Sequence, residues 1–115
     1  MKSALFYIPD IFFAPRVADA LQHLGFTMSE IDARGDLATL LNGAELLVVQ
    51  LNPPRETWLR LIEAARTASV PVLAFGRHTD AETLRAARQA GATKVVPNSE
   101  LVTELPKLVE QLTTT

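Results

Sequence analysis

Ala44-Glu45-Leu46-Leu47-Val48-Val49-Gln50-Leu51-Asn52-Pro53-Pro54 carries an apolar run from Leu46 to Leu51 that is broken only at Gln50. Asn42-Gly43 stands before it, and both that pair and Pro53-Pro54 interrupt regular structure. A run this short, without polar alternation, fits a strand covered on both faces of a parallel sheet. Such sheets bind ligands just beyond the carboxyl ends of their strands. Gln50 and Asn52 fall at that place, so one stretch indicates both the fold and the position of a site.

Four further segments read as strands. Ala4 to Ile8 is rich in aromatic and branched residues and ends at Pro9-Asp10. Phe26 to Ile31 alternates, with Phe26, Met28 and Glu30 on one side, as expected of an edge strand. Ser69 to Phe75 and Thr93 to Val96 complete the set. Between them lie helical patterns. Val17, Leu21 and Leu24 recur at helical spacing, with Asp10 as a candidate cap and Gly25 as the stop. Pro15 is tolerable only in the first turn of that helix. Leu37, Leu40 and Leu41 make a brief helix after the loop Asp32 to Asp36, and a longer one begins at Pro54 to Glu56 and runs to about Ala68. Thr79-Asp80-Ala81-Glu82 has the form of a capping box with Thr79 as the cap, and the helix behind it runs from Ala81 to Ala90 and stops at Gly91. Ser99 is expected to cap a terminal helix with its stripe at Leu101, Leu105, Leu108, Val109 and Leu112, interrupted at Pro106, and Thr113 to Thr115 are expected to fray.

Strands alternating with helices imply an α/β protein: a three-layer, doubly wound, five-stranded parallel sheet with right-handed crossovers and strand order 2-1-3-4-5. The 115 residues argue for one domain, 1–115. That order gathers Pro9, Asp10, Gln50, Asn52, Gly76, Arg77, His78, Pro97 and Asn98 around one mouth.

Composition narrows the function classes. At 48% hydrophobic residues the chain can build a core and is not disordered. A formal net charge of -2 gives no overall attraction to nucleic acid or anionic lipid. Cysteine is absent, which removes disulfides, thiolate nucleophiles and thiolate metal sites, and fits a reducing, cytoplasmic setting. The apolar start is too short for a signal or membrane segment, so no membrane association is expected. His23 and His78 are far apart and make no zinc set, and there is no Gly-x-Ser-x-Gly elbow.

Over nearly its full length the chain resembles the receiver domains of two-component response regulators, the CheY-like family with a flavodoxin-like strand order. Val70-Pro71-Val72-Leu73-Ala74-Phe75 and Ala90-Gly91-Ala92 followed by a short strand and loop carry the likeness. Receivers hold magnesium with an acidic pair at the end of the first strand, and the resemblance puts Pro9 and Asp10 there. Their phosphate-accepting aspartate corresponds to Gln50, their hydroxyl residue after the fourth strand to Gly76, and their lysine after the fifth to Asn98. The implied protein is therefore a degenerate, non-enzymatic pseudo-receiver standing alone, without cofactor. Its protein partner is not indicated by the residues, and pairing through the last two helices is the expectation that the resemblance supplies. Pro9-Asp10-Ile11-Phe12-Phe13 and Leu105-Pro106 also resemble a group of small bacterial proteins, a likeness from which no function follows.

The mouth residues have a second reading. Asp10, Gln50, Asn52, Arg77, His78 and Asn98 form a candidate ligand set for a small anion or nucleotide, with a helix start nearby to favour negative charge. Against it stands a plain structural role, in which Asp10 caps a helix and Gln50 satisfies loop amides. A hydrolase or transferase using Asp10 as base ranks last, because no nucleophile or metal cluster accompanies it.

Overall fold

The computed structural model describes residues 2–113. Five parallel strands alternate with five helices: β1 (Lys2–Tyr7), α1 (Phe13–His23), β2 (Phe26–Glu30), α2 (Leu37–Leu41), β3 (Leu46–Gln50), α3 (Arg55–Thr67), β4 (Val72–Gly76), α4 (Ala81–Ala90), β5 (Lys94–Pro97) and α5 (Asn98–Thr113). The sheet order is β2-β1-β3-β4-β5, as the sequence implied, with β2 and β5 at the edges. The register aligns Tyr7 with Val49, Gln50 with Phe75, and Gly76 with Pro97, so the strands end near one another.

Successive strand residues point to opposite faces, and each face has its own helices. Leu46, Val48, Leu73, Phe75 and Val96 pack with Val17 and Leu21 of α1 and with Leu101, Leu105, Leu108 and Val109 of α5. Leu47, Val49, Val72, Ala74 and Val95 pack with Leu37 and Leu41 of α2, Trp58, Leu61, Ile62 and Ala65 of α3, and Leu84 and Ala87 of α4. All five residues of β3 are buried, which is why its sequence shows no alternation. Trp58 is a core residue, with the Arg55 guanidinium 5.8 Å from its ring.

The local punctuation differs from the sequence reading in several places. Asp80 caps α4, not Thr79: its carboxylate accepts from the Thr83 amide at 3.2 Å and the Thr83 hydroxyl at 2.7 Å. Thr79 lies inside the turn closed by the Asp80 amide donating to Arg77 O. Ser99 caps nothing, because β5 runs directly into α5 and Ser99 already lies in the helix. Pro106 does not interrupt α5. It sits on the exposed side of the helix together with Val102, the residue whose carbonyl it leaves without an N–H. β4 begins at Val72 rather than Ser69, since Ser69 has φ 58° and, with the Val70 amide donating to Ala65 O, ends the α3 exit. Thr113 closes α5, its hydroxyl donating to Val109 O, and Thr114 and Thr115 lie outside the described residues.

Candidate functional site

The strand ends enclose a crevice of about 300 Å³ lined by Asp10, Phe13, Gln50, Leu51, Asn52, Pro53, Gly76, Arg77, Asp80, Thr83 and Asn98. Of the residues singled out from sequence, Asp10, Gln50, Asn52, Gly76, Arg77 and Asn98 meet there. Pro9, His78 and Pro97 do not line it. His78 is exposed in the turn between β4 and α4. Phe13, Leu51, Pro53, Asp80 and Thr83 were missed as wall residues. The Asp80-x-x-Thr83 spacing was a readable signal for the last two, since a cap and its third residue share one end of a helix.

Gln50 organises the floor. It is only 4% exposed, and its Oε1 accepts the Asp10 amide at 3.0 Å, which ties the end of β3 to the turn after β1. An N–H can pair only with the carbonyl end of a carboxamide, so the Gln50 Nε2 is the end left over. Asp10 shapes the entry to α1: its Oδ1 accepts the Phe12 amide at 2.8 Å, and its carbonyl accepts the Phe13 and Ala14 amides. α1 has Phe12 at its cap position without a side-chain bond, so Asp10 caps the entry turn rather than the helix itself. The Phe13 ring leans on Phe75 at 5.6 Å between centroids and walls the crevice from the α1 side.

The opposite wall is the start of α4. The Thr83 hydroxyl and amide hold Asp80 below the usual carboxylate range, with smaller contributions from the Arg55 and Arg77 charges. The Arg77 guanidinium makes no hydrogen bond or ion pair with another described residue, while its carbonyl accepts the Asp80 amide. Gly76 sits where a side chain would crowd: a Cβ there would lie 3.3 Å from Leu51 Cβ and 3.5 Å from Leu84 Cδ2. Asn98 brings a buried Oδ1 that has no hydrogen-bond partner.

This donor set does not fit the magnesium of a receiver. Asp10 is its one acidic residue on the β1 side, Pro9 replaces the second, and the Gln50 oxygen is already engaged. No group of three or more His, Cys, Asp or Glu placed to hold a metal occurs among the described residues. No helix among them is long and apolar enough to cross a membrane.

No family model matches the chain, and no curated protein matches it in sequence. Solved structures do match. A CheY-like protein, tadZ, from Pseudomonas aeruginosa PAO1 aligns over 97% of this chain and 99% of its own at TM-score 0.82 and 20% identity. The chemotaxis response regulator CheY4 of Vibrio cholerae aligns over 97% and 98% at TM-score 0.77 and 22% identity. The Francisella response regulator 1452 receiver domain aligns over 97% and 96% at TM-score 0.78 and 16% identity. The chain has the CheY-like receiver fold, and at these identities the likeness is one of fold.

Proposed function

We propose that this protein is a pseudo-receiver: a non-enzymatic signalling module that acts by protein contact and is not switched by phosphorylation. The observation that carries the reading is Gln50, which stands at the end of β3 where receivers carry their acceptor. A carboxamide has no anionic oxygen to attack a phosphoryl group. Its one carbonyl oxygen is further occupied by the Asp10 amide. The supporting groups are absent in the same way. Gly76 has no hydroxyl and Asn98 no charge, so a phosphorylated product would lack two of its stabilising contacts.

The contact surface in this reading is the face made by α4, β5 and α5. β5 is an edge strand with its outer side unpaired in the sheet. Arg85 and Arg88 are exposed on α4, and Glu104 is exposed on α5. A two-fold axis beside β5 would set these opposite charges against each other, and two-fold pairs are the commonest small assemblies. With a formal net charge of -2, nucleic acid is not the expected partner, and the absence of cysteine supports a cytoplasmic module in this reading. Light scattering of the eluting protein, with and without acetyl phosphate and magnesium, tests the reading. The expected result is the same dimer mass in both. A mass that changes only with the phosphodonor would overturn it, and a monomer in both would remove the pairing.

A further inference from the structure

We infer that the crevice binds a small zwitterion of the free amino-acid class, a ligand role separate from the protein contact proposed above. Four polar groups that line it have hydrogen-bonding capacity that no other described residue takes up, although the Arg77 charge also acts on Asp80. Gln50 is 4% exposed and lines the crevice, and its Nε2 has no partner among the described residues once Oε1 is fixed on the Asp10 amide. Asn98 Oδ1 is buried and unpartnered. A buried oxygen such as Asn98 Oδ1 is normally paired, and one left over calls for an explanation. Asp10 uses Oδ1 on the Phe12 amide and leaves Oδ2 unengaged. The Arg77 guanidinium makes no hydrogen bond or ion pair with another described residue.

The set asks for both signs in one small molecule. Arg77 and Gln50 Nε2 only donate, so they call for a carboxylate. Asp10 Oδ2 and Asn98 Oδ1 only accept, so they call for an ammonium group. A bare anion meets the carboxylates of Asp10 and Asp80 in the same crevice, and a bare cation meets Arg77. A peptide end carries one of the two charges, whereas a free amino acid carries both on adjacent atoms. The volume of about 300 Å³ stands at the small end of ligand pockets and suits a molecule of that size.

The test is a titration of the isotope-labelled chain, followed by amide NMR, with each common amino acid singly at millimolar concentration. Inorganic phosphate and magnesium are run separately. At least one amino acid should shift the amides of Asp10, Gln50, Arg77 and Asn98. Arg77→Gln and Asp10→Asn should each weaken that binding about tenfold or more, the loss expected of one charge-assisted contact. Both variants keep the fold-bearing bonds, since Asn retains an oxygen for the Phe12 amide and Arg77 is exposed. No shift with any amino acid, shifts confined to other parts of the surface, or equal binding by both variants would each overturn the inference. Crevice shifts with phosphate and none with amino acids would overturn it as well.

Discussion

Removing the Gln50 carboxamide should destabilise the protein in two separable ways. Gln50→Leu keeps the volume and deletes the acceptor of the Asp10 amide, a partly buried bond of 3.0 Å. An unsatisfied donor of that kind costs about 1–2 kcal/mol. Gln50→Asp shortens the reach by one methylene, so the bond is lost again, and a carboxylate is placed where the native side chain is 4% exposed. Desolvation and the Asp10 charge both raise the pKa of the new group, at 1.36 kcal/mol per unit. The sum is about 2–4 kcal/mol at neutral pH, a fall in Tm of roughly 10 °C or more. The sign of the pH effect follows. A carboxyl whose folded pKa lies above its unfolded value loses stability as pH rises through the folded pKa, so the deficit of Gln50→Asp against Gln50→Leu should shrink on acidification. Urea unfolding of the wild type and both variants at several pH values measures this. Deficits below about 0.5 kcal/mol for both variants, the size of an ordinary surface change, would refute the anchoring role of Gln50. A pH-independent gap between the variants would refute the burial of the new charge.

Three other outcomes follow from the fold. Val48→Asp puts an unpaired charge in the middle of a fully buried strand and should abolish cooperative folding by circular dichroism, since that burial costs several kcal/mol or more. Gly91→Ala should lower stability by about 1–2 kcal/mol in urea unfolding, because Gly91 has φ 114° and a Cβ there would lie 2.6 Å from Arg66 Cδ. Asp80→Ala should lower Tm at neutral pH. Because the folded pKa of Asp80 lies below its ordinary value of 3.8, that contribution is present above the unfolded pKa and is lost as pH falls through the folded one, so the Tm gap should close in acid.

The strand order was legible because four of the five strands are bounded apolar runs and β2 alone alternates. Burial on both faces leaves that signature in β3 and β4. The division of Leu47 and Val49 from Leu46 and Val48 onto different helix layers also follows from strand periodicity. Caps were legible only to within a residue: Thr79 and Asp80 are both good caps, and the turn from Arg77 to Asp80 decides between them. That same turn carries His78 out of the crevice wall, which strand-end counting had no means of detecting. Pro106 misled because the rule against proline within a helix takes no account of an exposed face. The orphaned Asn98 Oδ1 and the Gln50–Asp10 bond depend on side-chain directions across three strands, which no linear spacing encodes. The plain role foreseen for Gln50, holding a loop amide, is the one that the structure gives it.

The most direct measurement is the intact mass of the purified chain after incubation with acetyl phosphate and magnesium. The account predicts no gain of a phosphoryl group, because the nucleophile, the second metal carboxylate and both product contacts are missing. Gln50→Asp alone should also fail to transfer efficiently, since Pro9, Gly76 and Asn98 still deprive it of metal and donors. A stable phosphoryl adduct on the wild-type protein, mapped to Asp10 or elsewhere in the crevice, would contradict the pseudo-receiver reading.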